Sequence, residues 1–270
     1  MVRYGVLADI HGNLFALTAA IRQLKREGVD AWLCAGDLVG YGPQPNECVE
    51  AVAELGAVCV AGNHELILLG RLSDQRSGSL ARHTIAWTRG VLRDDCWSFL
   101  AHLPTVAVAP SLVVAHGSLD NPEEYVVQDR QAARQLHILE SEYPTASLLI
   151  LGHTHRPWIY HQRDGTMLPA MDGAPLAPGR VLLNPGSVGQ SRQRERTPLA
   201  RFMLLDVERR QARTLSTAYD LAACRQALRQ HHLPRDAIHL RPGRLARARR
   251  RARGLLWRRR RPPGGPYLGR

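Results

Sequence analysis

Arg3-Tyr4-Gly5-Val6-Leu7-Ala8-Asp9-Ile10-His11-Gly12-Asn13 is an apolar run that stops at an acid and an imidazole and then turns into a helix. Asn13 is a good N-cap for a helix reaching about Arg26, because Leu14, Leu17, Ile21 and Leu24 recur at helical spacing behind it. The same grammar repeats twice. Ala31-Trp32-Leu33-Cys34-Ala35 reads as a buried strand ended by Gly36-Asp37, followed by the Gly/Pro-rich loop Gly40-Tyr41-Gly42-Pro43-Gln44-Pro45 and a helix over 46–55. Ala57-Val58-Cys59-Val60-Ala61 reads as a third strand, ended by Gly62-Asn63-His64-Glu65. Three β-α repeats with polar residues at the strand ends are the pattern of an open α/β sheet, in which ligands bind beyond the carboxyl ends of the strands.

Beyond this core, residues 66–103 read as an inserted helical cap of one to three helices, with His83 and His102 as its candidates for touching a substrate. Leu112-Val113-Val114-Ala115 is the next buried strand, ended by His116-Gly117; a helix over 128–141 follows. The strand at 147–151 then ends in Gly152-His153-Thr154-His155. Short runs at 157–162, 180–184, 199–207 and 211–218 alternate with turn residues and leave no room for crossover helices, so they predict an antiparallel second sheet. A terminal helix is expected over 220–233. Residues 241–270 are Arg/Pro/Gly-rich, a composition expected to be disordered.

Composition bounds the class. A chain of 270 residues, 44% hydrophobic, can bury a full core. No apolar run approaches the ~20 residues that span a bilayer. The chain reaches Asp9 without a basic-then-apolar leader, so it does not read as carrying a signal peptide. Five cysteines, odd in number and without CxxC spacing, point to a reduced, cytoplasmic protein. The formal charge of +12 resides in the tail, where residues 241–270 hold twelve arginines and no acid, leaving the first 240 residues neutral. Such an arm suits nucleic acid or another polyanion.

The strand-end residues are metal-ligand types in the quantity that two divalent ions need. Two ions about 3.5–4 Å apart require a shared ligand, and Asp37, the acid alone at its strand tip, is the natural bridge. Asp9 and His11, two apart, would leave one face of an extended segment and reach one ion together. His153 and His155 repeat that spacing, but a turn there could send them to different ions. Mixed imidazole and carboxylate donors suit Mn, Fe, Zn, Co or Ni over an all-oxygen Ca or Mg site.

In order and spacing, DxH, GD, GNHE, H and GHTH resemble the calcineurin-like metallophosphoesterase superfamily. Asp9-Ile10-His11-Gly12-Asn13, Gly36-Asp37-Leu38-Val39-Gly40-Tyr41-Gly42 and Asn184-Pro185-Gly186-Ser187-Val188 are similar to its small bacterial and archaeal phosphodiesterase branch. The resemblance covers roughly 1–220. It implies an α/β fold, a four-layer αββα sandwich of two mixed β-sheets flanked by helices, with residues 1–240 as the catalytic domain. It also implies that Asp9, His11, Asp37 and His155 hold one ion, and that Asp37, Asn63, His116 and His153 hold the other. His64 would then be no ligand but the donor to the phosphate or the leaving oxygen. The ions would neutralise phosphate and lower the pKa of a bridging water for in-line attack, and a histidine with an ordinary pKa near ~6.5 suits a general acid.

Two departures matter. In the protein-phosphatase and dinucleoside-polyphosphate hydrolase branches, arginines follow the second motif and precede the third. Here Gly40-Tyr41 and Ala61 stand in those places. A dianionic monoester would lose bidentate contacts that a monoanionic diester needs less. The expectation is therefore a metal-dependent phosphodiesterase acting on a phosphate-ester small molecule or nucleotide. Tyr41, Asn63, His64 and Arg192 or Arg194 would bind the substrate. The alternatives are a phosphomonoesterase or dinucleoside-polyphosphate hydrolase, and nuclease-like processing aided by the basic tail. A non-enzymatic scaffold is disfavoured because every ligand position is intact.

Overall fold

The computed structural model describes residues 2–170 and 173–240. The arginine-rich segment expected to be disordered lies outside them. Strands β1 (Arg3–Leu7), β2 (Ala31–Cys34) and β3 (Val58–Cys59) are parallel. The helices α1 (Leu14–Glu27) and α2 (Pro45–Glu54) connect them, and the Asn13 side chain caps α1 by accepting from the Ala16 amide. The third run of the sequence pairs over only two residues, because the chain turns at once into α3 (Asn63–Leu68).

Helices α4 (Ser79–Val91) and α5 (Asp94–His102) occupy the expected cap region. An edge strand that the hydrophobic pattern does not announce follows, β4 (Val106–Ala109), antiparallel to β5 (Leu112–Ala115). Next come α6 (Asp129–Glu142), β6 (Leu148–Ile150), β7 (Pro157–His161), β8 (Thr166–Pro169), β9 (Ala174–Pro175), β10 (Val181–Pro185), β11 (Ala200–Asp206), β12 (Gln211–Thr217) and α7 (Leu221–Gln230).

The strand runs after residue 157 do not form a sheet of their own, contrary to the sequence expectation. The two six-stranded sheets run β3-β2-β1-β11-β12-β9 and β4-β5-β6-β10-β7-β8. Both are mixed: the first joins the parallel half β3-β2-β1 to antiparallel β11, β12 and β9, and the second has a parallel centre β5-β6-β10 flanked by antiparallel β4 on one side and β7 and β8 on the other. Alternation explains why both sheets can take these strands. In β1, Val6 points between the sheets, packing with Leu33, Val114, Ile150 and Leu205, while Leu7 faces the α1–α2 layer. On the far side, Val113, Leu149 and Leu182 meet Leu136 and Leu139 of α6. Helices, sheet, sheet, helix is the αββα order expected. It places the carboxyl ends of β1, β2, β3, β5 and β6 along one edge. No helix of the described residues is long and apolar enough to cross a membrane, and all five cysteines are free and buried.

Candidate metal centre

At that edge the backbone leaves ordinary strand geometry. Asp9, His11, Asp37, Tyr41, His153 and His155 all have φ between 49° and 64°. Left-handed backbone costs a non-glycine residue roughly 1–2 kcal/mol, and its concentration on the motif residues marks a site for which local strain is tolerated. The extended segment predicted for Asp9 and His11 is thus absent. The two side chains converge all the same, because a turn at both residues brings them onto the neighbouring β2 loop: the His11 amide donates to Asp37 O at 2.9 Å and the Gly12 amide to Leu38 O at 2.7 Å.

Two groups of donors form. Asp9, His11, Asp37 and His155 offer atoms within 4.8 Å of one another, and so do Asp37, His116 and His153. Asp37 is common to both: its Oδ2 lies 3.6 Å from His11 Nε2 on one side and 3.2 Å from His116 Nε2 on the other. His153 and His155 separate into different groups, as a turn between them requires. Asn63 belongs with the second group, its Oδ1 being 3.0 Å from His116 Nε2.

The hydrogen bonds fix what each donor atom carries. His11 Nδ1 faces Val39 O at 3.1 Å, His155 Nδ1 faces Gln190 O at 2.8 Å, and His116 Nδ1 faces Ala35 O at 2.7 Å. A carbonyl only accepts, so each Nδ1 donates and each neutral ring presents a lone pair at Nε2. His153 has the reverse tautomer, because its Nε2 faces Glu123 O at 3.2 Å. The lone pairs of His11 and His155 then confront each other at 3.2 Å, while His116 Nε2 lies 3.2 Å from Asp37 Oδ2 and 3.0 Å from Asn63 Oδ1, oxygens that only a proton or a cation on that side can satisfy. Asp9 Oδ2 is buried with no hydrogen-bond partner among the described residues. Acceptors gathered on acceptors, in a buried place, fit a cation between them.

Electrostatics follow the same pattern. Burial pushes the Asp9 carboxyl up to about 7, although His116 opposes it. Burial also works against charge on His116, yet Asp37 beside it lifts the imidazole to about 10, a proton standing where a cation would serve. Burial works against the charge of Asp37 too, but His116, His64 and His11 hold its carboxyl well below the usual range. Burial lowers His11 and His155 well below their ordinary value and takes His153 down to about 3, so all three are neutral.

His64 sits at the start of α3, its amide donating to Asp37 Oδ1 at 2.9 Å, and its ring packs against His11 and Tyr41 at 4.6 and 4.8 Å between centroids. Gly40 lies against that ring. A Cβ there would come within 2.2 Å of His64 Nδ1, at a φ of +81° that disfavours any side chain. Asn63, His64 and Tyr41 open with Asp37 and His153 onto a cavity of about 190 Å³. Arg192 enters the same cavity, donating from Nη1 to the Tyr125 hydroxyl at 3.1 Å. Arg194 is exposed and does not line it. The exposed His83 and His102 stay outside it too. The cap instead contributes Arg76, Ser77, Gly78 and Ala81.

Three contributions escaped the sequence. Glu123 and Tyr125, on the stretch between β5 and α6, wall the cavity, and the Tyr125 ring lies 3.9 Å from that of His153. No motif marks them. Glu65 had a signal, being three residues after Gly62 at a helix start. Its carboxylate accepts from the amides of Asp37, Leu38, Val39 and Gly62 at 2.7–3.1 Å, tying the second motif to the third. The Asn184-Pro185-Gly186-Ser187 stretch also serves the site by bracing: Asn184 Nδ2 donates to Gly152 O at 2.6 Å and Ser187 Oγ to Asp9 O at 2.8 Å.

A buried cluster of His and Asp side chains able to hold metal thus sits at the strand ends of a two-sheet α/β sandwich. The chain belongs to the calcineurin-like phosphoesterase family, whose pattern it matches over residues 2–166. It is 31% identical to a metallophosphoesterase from Sphaerobacter thermophilus, covering 88% of this chain and 96% of that one, with a TM-score of 0.75. A hypothetical protein from Pyrococcus horikoshii shares the fold at 23% identity and a TM-score of 0.70, with 88% and 96% covered. An uncharacterized protein of Methanocaldococcus jannaschii is 28% identical over 235 residues, 85% of this chain and 93% of its own.

Proposed function

We propose that the protein is a phosphodiesterase that uses two divalent ions, of which manganese suits the mixed donor set, with His64 as general acid. The observation that carries this reading is Asp37, whose single Oδ2 faces the histidines of both donor groups. Asp9, His11, Asp37 and His155 would hold one ion; Asp37, Asn63, His116 and His153 the other. When bound, such ions neutralise phosphate charge and acidify water.

The chain's own residues do the rest. Arg192 crosses the mouth of the cavity and gives one guanidinium to the phosphate, with Tyr41 and Asn63 beside it. His64 donates to the phosphate or to the departing oxygen. Burial lowers its pKa although Asp37 works in the opposite direction, so the free site holds neutral imidazole with one N–H to give. Full protonation draws on the negative charge of the docked substrate. Of the two arginines on the cavity wall, Arg76 pairs with Glu123 at 3.4 Å, and the one remaining guanidinium, that of Arg192, suits a monoanionic diester better than a dianionic monoester. The five unpaired thiols support a reducing, cytoplasmic setting.

With Mn²⁺, the protein should hydrolyse bis-p-nitrophenyl phosphate faster than p-nitrophenyl phosphate; the reverse ranking would favour a monoesterase. His64→Ala should lower turnover by about 10²–10⁴-fold while mass spectrometry finds the metal content of the wild type. Lost metal would instead make His64 a ligand.

A further inference from the structure

The loop after β10 brings Arg192 to the cavity, and almost all of its backbone is pinned. The Gly189 amide donates to Asp9 O at 3.0 Å and the Gln190 amide to Ser187 Oγ at 2.9 Å. Gln190 O accepts from His155 Nδ1. Beyond it, the Ser191 amide donates to Ile238 O at 3.1 Å and the Leu240 amide to Ser191 O at 2.9 Å, so that residues 237–240 lie along the loop like a short added strand. What the backbone does not fix is the long Arg192 side chain, which carries about 2 kcal/mol of rotamer entropy.

Gln190 is fully buried, and both ends of its amide are engaged. Arg192 Nε donates to Gln190 Oε1 at 3.0 Å, and Gln190 Nε2 donates to Ala237 O at 2.8 Å. The orientation is dictated by chemistry, since a guanidinium only donates and a carbonyl only accepts. The amide cannot turn over without losing both partners. It is therefore a rigid link between residues 237–240 and Arg192, the half-buried arginine on the cavity wall. With Nε engaged by Gln190 and Nη1 by Tyr125, Nη2 has no hydrogen-bond partner among the described residues, a geometry that directs the fork's outer edge rather than leaving it to sample rotamers.

We propose that Gln190 is a positioning residue: it aims Arg192 at bound phosphate by tying the guanidinium to the 237–240 segment. This rests on Arg192 serving as the phosphate arm. It also gives the segment that leads into the arginine-rich tail a structural part in the site, since it supplies the carbonyl on which the link depends.

The test is the affinity of Mn²⁺-loaded protein for inorganic phosphate, measured by calorimetry on wild type, Gln190→Ala, Arg192→Ala and the double variant, with metal content followed in each. Arg192→Ala should weaken phosphate by roughly tenfold to hundredfold. Gln190→Ala should weaken it by about fivefold at unchanged metal content, the share lost when the arginine samples other rotamers. The double variant should be no weaker than Arg192→Ala alone, because Gln190 acts only through that arginine. Gln190→Met, which keeps volume but has no polar ends, should match Gln190→Ala and stands in for it if the alanine variant does not fold. Additive losses, unchanged affinity without the amide, or loss of metal would overturn the proposal. Arg192→Ala with wild-type affinity would overturn it together with the phosphate-arm reading. The expected pattern in a protein that cleaves neither ester would remove the hydrolytic reading and leave the role of Gln190 standing.

Discussion

Asp37→Asn protein is expected to fold, to bind little metal at either donor group, and to lose turnover by at least ~10³-fold, the rate equivalent of about 4 kcal/mol of lost electrostatic stabilisation. The substitution is nearly isosteric, so packing is spared. Its effect comes from position. Asp37 Oδ2 is the atom facing both His11 and His116, at 3.6 and 3.2 Å, and replacing it with an amide removes a negative charge from both groups at once. An Asn Nδ2 at that position could pair with a single imidazole lone pair. Asp9→Asn makes the control. Asp9 belongs only to the first group, so its variant should retain about half of the wild-type metal by mass spectrometry. A full complement in Asp37→Asn, or equal losses in the two variants, would remove the bridging assignment.

Glu65→Ala is expected to be the most destabilising single substitution at the site, by about 3–5 kcal/mol, or roughly 10 °C in Tm. Four amides, those of Asp37, Leu38, Val39 and Gly62, lose their acceptor together. Each buried, unsatisfied donor costs about 1–3 kcal/mol, of which water entering the vacated space recovers part. Burial and the neighbouring Asp37 push the Glu65 carboxyl up to about 7 against the pull of the Gly62 and Val39 amides and of His116, so its charge is held at a cost that these amides help to offset. Because Gly62 abuts Asp37 closely enough that a Cβ would fall 2.2 Å from Asp37 Oδ1, loosening this junction should also weaken metal binding. Calorimetric unfolding of wild type and variant checks the first effect and metal titration the second. A Tm within 2 °C would show that solvent replaces the carboxylate without penalty.

Legibility in the sequence followed the range of the signal. Runs such as Val6-Leu7-Ala8 and Leu112-Val113-Val114-Ala115 announce buried strands, and Asn13 announces a helix start, because those patterns are local consequences of burial and of unsatisfied helix amides. The strands after residue 157 were visible as strands but not as members of two different sheets. Alternation states that a strand has two faces and says nothing about which neighbour it pairs with. β4 carries weak alternation and an exposed Val108, so this edge strand, just beyond the cap's expected end at 103, went unassigned.

At the site, the residue types and their order pointed to candidate donors, and the spacing of His153 and His155 left open whether they share a group; the structure puts them in different ones. The sequence by itself determined the repeated strand–turn–helix units, the supply of histidine and carboxylate at their tips, and through these the family. Only the tertiary structure decided that Asp37 faces both donor groups, that Glu65 binds four amides, and that Arg192, not Arg194, reaches the cavity with Tyr125 and Gln190. The reason is physical. Periodicity and capping are set by neighbours a few residues away, whereas a shared carboxylate oxygen, a buried amide clamp and an aimed guanidinium are set by contacts between segments far apart in the chain, which exist only once the two sheets have packed.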